Sequence, residues 1–75
     1  SVADNRDLYI EISKAYMQNG YYENALQYLL DLEQVQQDSK IWFHIAQCYR
    51  FAEKHQEAIT YYTKGNHSIC LLYLK

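Results

Sequence analysis

Residues 16–29 read YMQNGYYENALQYL, and this stretch decides the fold. Ala15 and Tyr16 continue an apolar stripe with Tyr9 and Ile12, at the i, i+3, i+4, i+7 spacing of a helix face. Asn19-Gly20 interrupts it. Glycine suits the left-handed φ at a helix C-terminus, where a Cβ is disfavoured. From Glu23 a second stripe begins with Ala25, Leu26, Leu29 and Leu30. The stretch therefore predicts two helices joined by a tight turn, with Ala25 where they approach closely.

The same hairpin returns later. Tyr16 is followed by Ala25 as Tyr49 is by Ala58, and matching the tyrosines sets an offset of 33 residues. That offset also pairs Tyr9 with Trp42, Ile12 with Ile45 and Tyr28 with Tyr61. Self-similarity at such a period marks a stack of one supersecondary unit. Over residues 6–64 the pattern resembles the tetratricopeptide family, whose repeat is about 34 residues long. Trp42, Ile45, Ala46, Tyr49, Ala58 and Tyr62 stand at the family's W, L, G/A, Y, A and F positions. In the first copy Tyr9, Ile12, Ser13, Tyr16, Gly20, Tyr22, Ala25 and Leu29 do so. Three positions depart: Gln37 replaces the usual Pro, Glu53 the turn Gly of the second copy, and Gly65 a second Ala. The resemblance implies an all-α fold of two antiparallel helix hairpins in a right-handed superhelix.

A sequence of 75 residues allows one small domain. At that size stability is marginal, and arrays of this kind need about three units, so the two copies look like a slice of a longer array. With no Pro, two Gly and 49% apolar residues, neither disorder nor a linker is expected. The longest apolar run, Leu71-Leu72-Tyr73-Leu74, is far short of the ~20 residues that span a bilayer. The opening SVADNRDLY lacks a basic n-region and an apolar core, so no secretory signal is expected. Cys48 and Cys70 have no framework spacing and read as reduced thiols of a cytosolic or nuclear protein. A net charge of −2, with dispersed lysines and arginines, leaves no electrostatic footprint for nucleic acid.

In chain order, residues 1–5 are a polar lead-in, with Asp4 or Asn5 as N-cap. The first unit covers 6–38, with helices at about 6–18 and 22–34, and the second 39–67, with helices at about 40–52 and 56–64. Asp38 or Ser39 caps the third helix, and Gly65-Asn66 ends the fourth. Residues 68–75 fit a capping helix, a bent continuation of the fourth helix, or a junction of two segments not contiguous in the parent protein.

The first helix of each unit carries a second stripe: Ile10, Lys14 and Met17, then Phe43, Gln47, Arg50 and Phe51. In the tetratricopeptide family this face lines the concave groove that binds peptides. The resemblance implies an apolar groove of Ile10, Met17, Phe43 and Phe51, with Gln47, Lys14 and Arg50 beside it, for protein partners and neighbouring repeats. Co-chaperone members grip a terminal carboxylate with a Lys-x-x-x-Asn pair and a second Asn; here Ile10, Lys14 and His44 occupy those places, so that clamp is absent. His44 and Cys48, four apart, have a spacing able to share a metal, but no second ligand pair accompanies them. No nucleophile elbow or phosphate loop is present, and Asp31, Glu33 and Asp38 read as a solvated face. No catalytic residue, metal, cofactor, membrane or small-molecule substrate is expected.

The expected function is a non-catalytic protein-interaction scaffold. The runs LYIEISKAYMQNGYYENALQYLLDL and IWFHIAQCYRFAEKHQEAITYYTK look like the tetratricopeptide subunits of fungal transcription factor IIIC. That resemblance implies a nuclear scaffold of the RNA polymerase III initiation machinery, contacting subunits of transcription factor IIIB. Scaffolds of other assemblies, such as the anaphase-promoting complex, are close to it. A helical-repeat RNA binder is the alternative from another class, but it needs polar base-reading residues where Ile10 and Phe43 stand.

Overall fold

The computed structural model describes residues 2–65, which form four α-helices after a single 3-10 turn. The turn is Ala3–Asn5, and the helices are α1 Arg6–Gln18, α2 Tyr22–Val35, α3 Ser39–Phe51 and α4 His55–Lys64. No strand occurs among the described residues. Residues 68–75, read above as a capping helix or a junction, lie outside them.

Both hairpin turns are built alike. Tyr21 N–H donates to Tyr16 O at 2.9 Å and Gly20 N–H to Met17 O at 3.0 Å, the 6→1 and 5→2 bonds of a Schellman motif. Gly20 has φ +83°, and a Cβ added there would meet nothing within 4 Å, so the dihedral is what favours glycine. Tyr21 packs edge-on against Tyr16 at 6.4 Å. In the second unit Lys54 N–H reaches Tyr49 O at 2.8 Å and Glu53 N–H reaches Arg50 O at 3.0 Å. Glu53 takes up the glycine's conformation, with φ +63°. The departure from glycine therefore leaves the turn unchanged and places its strain on Glu53.

One sequence expectation about helix ends fails and another holds. Asn5 makes no side-chain capping bond; Val2 O accepts from Asn5 N at 3.1 Å, and the chain enters α1 through the 3-10 turn. Gly65 is the C-cap of α4 as expected, with φ −81°, so the helix ends there on right-handed backbone. Asp38 caps α3: its Oδ1 accepts from Ile41 N at 3.0 Å, and its Oδ2 accepts from Arg6 at 2.9 Å. Burial pulls the Asp38 pKa up, but the bonds from Ile41 and Arg6 outweigh it and hold the carboxyl below its ordinary range.

Helices pack in sequence, α1 on α2, α2 on α3 and α3 on α4, with α1 lightly touching α3. The main core joins the two units: Ile10, Leu26, Leu29 and Leu32 meet Ile41, Ile45 and Cys48. Ala46, Ala58 and Tyr62 form a second cluster inside the second hairpin. Ala25 and Ala58 are fully buried. Ser13, at the small position of α1, is buried and spends its hydroxyl on Ile10 O at 2.7 Å. The tyrosines repeat with the chain: Tyr16 stacks on Tyr28 at 5.9 Å, and Tyr49 on Tyr61 at 5.8 Å.

The solvated acidic face needs correcting. Asp31 is exposed and accepts from Gln27 at 3.4 Å, but Asp38 is the cap just described. Glu33, whose side chain is 15% exposed, is a hub between units. Its carboxylate accepts from Trp42 Nε1 at 3.0 Å, Tyr61 OH at 3.3 Å and Lys64 Nζ at 3.4 Å. Lys64 Nζ also lies 5.0 Å from the Trp42 ring centre. Burial, then the Glu33 charge and hydrogen bond, push the Tyr61 phenol up to about 12.

Candidate docking surface

α1 and α3 touch lightly, and of the residues expected to line a groove Met17 and Phe51 share a cleft. Lys14 is exposed and paired with Glu11 at 3.2 Å, one turn away. Gln47 and Arg50 are half-buried on α3, and the Arg50 guanidinium lies 5.9 Å from the Phe51 ring centre. Phe51, the last residue of α3, is 52% exposed. With Met17, Gln18 and Tyr22 it lines a cleft of about 290 Å³. Its other side faces a larger cleft, about 510 Å³, between the two hairpin turns, lined by Gly20 to Asn24, Leu26 and Ala52 to Lys54. Phe51 is thus shared by two concavities, and Met17 and Phe51, 34 positions apart in sequence, meet in one of them.

One of the expected groove residues sits elsewhere. Ile10 is 2% exposed in the core between units and has no surface to offer a partner. It packs in the main core with residues of α2 and α3, while Lys14 of the same stripe is exposed and Met17 only half-buried. Phe43, the same position one unit on, is half-buried and packs edge-on against Tyr62 at 6.0 Å. Tyr22 and Leu26 join the clefts although the periodicity assigns them to the hairpin interior. The available signal was the pairing of Gln18 with Phe51 at the 33-residue offset, an aromatic where the first unit is polar.

The electrostatics of this face are read at His44. Burial lowers its pKa first; Lys14, Lys40 and Arg6 lower it further, and Glu11 offsets them in part. Lys14, Lys40 and Arg6 thus lie near enough to His44 to act on it, within a chain of net charge −2. His44 is held neutral at pH 7, and Cys48, fully buried, has its thiol pushed up to about 12. A protonated, buried thiol is not a ready metal ligand. No cluster of three or more His, Cys, Asp or Glu that could hold a metal occurs among the described residues. No helix among them is long and apolar enough to cross a membrane.

The family model described as Tetratricopeptide repeat matches residues 7–38 and again 39–65, the two helix pairs. No curated protein and no solved structure matches the chain. With the two matched segments covering most of its length, and with paired helices joined by the same turn at a constant offset, the chain belongs to the tetratricopeptide repeat family.

Proposed function

We propose that the α1/α3 face receives a segment of another protein, and that the chain serves as a non-catalytic docking scaffold. Tetratricopeptide repeats generally mediate protein–protein interactions and act without catalysis. The observation that carries the reading to this surface is Phe51: a large ring, half in water, at the mouth of two clefts and beside Arg50. Apolar surface left open beside charge is how partner sites present themselves. Met17 and Tyr22 would take an apolar side chain of the partner. Lys14, Lys40 and Arg50 would favour acidic residues in the stretch that follows it.

Within that role we propose a scaffold of the RNA polymerase III initiation machinery, similar to the tetratricopeptide subunit of transcription factor IIIC, acting in the nucleus on subunits of transcription factor IIIB. Its support is the likeness of the runs at residues 8–32 and 41–64. One experiment addresses both levels. The protein is affinity-purified as wild type and as Lys14→Glu, Arg50→Glu, Phe51→Ala, with mass spectrometry of co-eluting proteins and matched thermal melts. Polymerase III initiation factors present with wild type and lost with the variant support both readings. Partners of another assembly lost in the same way keep the docking face and remove the transcription role. Unchanged partners overturn the docking face.

A further inference from the structure

The hub at Glu33 has the make-up of a receptor for a cation. Lys64 Nζ lies 5.0 Å from the Trp42 ring centre and 5.4 Å from that of Tyr61. The same ammonium stands 3.4 Å from Glu33 Oε2. Two ring faces and a carboxylate thus meet one positive charge. The three residues come from α2, α3 and α4, and each is held by bonds that do not involve Lys64. Trp42 Nε1 and Tyr61 OH donate to Glu33, at 3.0 and 3.3 Å, and Tyr61 stacks on Tyr49 at 5.8 Å. The rings are therefore set in place before any ammonium arrives.

Lys64 is a loose occupant. Its side chain is 43% exposed, against 15% for Glu33. A pair so open to water gains little from its charges, and holding it costs the lysine stem its rotamer freedom. A primary ammonium is also strongly hydrated, and ring faces do not replace the hydrogen bonds of that water. Lys64 is the last residue of α4, so its side chain can swing out while the helix stays as it is.

We propose that Trp42, Tyr61 and Glu33 form a half-open aromatic cage for a methylated lysine of a partner protein, with Lys64 as its occupant when no partner is present. The class of ligand follows from what the cage has left to offer. One Glu33 oxygen already accepts from Trp42 and the other from Tyr61, so charge and ring face remain more than acceptor capacity. Methylation keeps the charge of a lysine, removes N–H donors and weakens its hold on water. Aromatic cages bind such groups by cation–π attraction. A lysine is favoured over other cations because a lysine side chain, that of Lys64, already stands there. None of the three cage residues lines the clefts at Phe51, so this site is independent of what docks on the α1/α3 face.

Trp42, the one tryptophan of the chain, reports the occupant directly. The whole chain is titrated with N-acetyl-trimethyllysine methylamide, and the indole N–H resonance of Trp42 is followed by NMR. A saturable shift is expected with a Kd on the order of 1 mM, and the unmethylated lysine analogue should bind roughly fivefold or more weakly. Lys64→Ala should tighten the trimethyl probe by about two- to fivefold, the weight of a surface ion pair. Glu33→Gln, which keeps the bonds to both rings, should weaken it; circular dichroism checks that each variant is folded at the temperature of the titration. Should Glu33→Gln not be folded, the two probes on wild type and Lys64→Ala decide the matter. A folded Lys64→Ala chain whose Trp42 resonance the trimethyl probe leaves unmoved overturns the proposal. So does equal affinity for the unmethylated analogue, or tighter binding of choline, which carries the same head without the lysine stem.

Discussion

Replacing Glu33 by Gln keeps the length of the side chain and removes its charge. The Gln oxygen can still accept from Trp42 Nε1, and its amide can donate to the Tyr61 hydroxyl, so the geometry of the hub survives. What is lost is charge assistance, about 1 kcal/mol over these bonds, since hydrogen bonds to a charged group contribute about 1.5–3 and neutral ones about 0.5–1.5. Lys64, 43% exposed, adds only a few tenths of a kcal/mol through water-screened attraction. Glu33→Ala removes the acceptor itself and leaves Trp42 Nε1–H without one, for a loss of about 2–3 kcal/mol. For a domain of this size each kcal/mol lowers Tm by about 4–8 °C. Urea unfolding followed by Trp42 fluorescence reads both variants, with the denaturant slope unchanged. A Glu33→Gln, Trp42→Phe double-mutant cycle, followed by circular dichroism because Trp42 is itself replaced, should return the Trp42 share of that loss, about 0.5 kcal/mol. Two variants that both melt within a degree of wild type would refute the hub.

The same contact sets an alkaline limit. The Tyr61 phenol is pushed up to about 12, by burial first and then by Glu33. Its contribution to stability is whole below the ordinary phenol value near 10 and is lost as pH rises through about 12. Glu33→Gln narrows that window.

Glu53→Gly should stabilise the chain by roughly 0.5 kcal/mol, because relief of about 1–2 kcal/mol of left-handed strain exceeds glycine's entropic cost of about 0.5–1; a melt that falls would show the strain is absent. Gly20→Ala should act in the opposite sense by a similar amount. Asp38→Ala removes a cap worth about 1 kcal/mol and the acceptor for Arg6, for a loss near 2 kcal/mol. Because the Asp38 pKa is lowered, this difference is full above the ordinary carboxylate range and is lost as pH falls through and below it. A gap between the two proteins that widened on acidification would contradict the assignment.

Helix pairs, turns and offset are legible in the chain because each rests on local chemistry: apolar spacing, a left-handed glycine, an acidic cap. Glu53 shows the limit of local reading, since the hydrogen bonds of the turn impose on Glu a conformation its residue type disfavours. Ile10 shows another. Periodicity finds two apolar stripes on α1 but not which of their residues the following unit will cover, and Ile10 and Phe43 share one position with different outcomes. Glu33 was unreadable for the same reason, as its three donors come from two other helices and none is near it in sequence.

The bonds between the two units are unevenly distributed along their length. Arg6–Asp38 and the donors around Glu33 all lie where α2 hands over to α3, whereas the opposite end, between the turns, holds the larger cleft. Opening at the mouth should therefore draw on Leu26, which lines the larger cleft and also packs in the main core, so admitting a thick ligand there costs core contact. Among the described residues the ion pairs where α2 hands over to α3 are Arg6–Asp38 and the water-screened Lys64–Glu33, beside the neutral donors Trp42 and Tyr61, so salt should loosen that end only slightly.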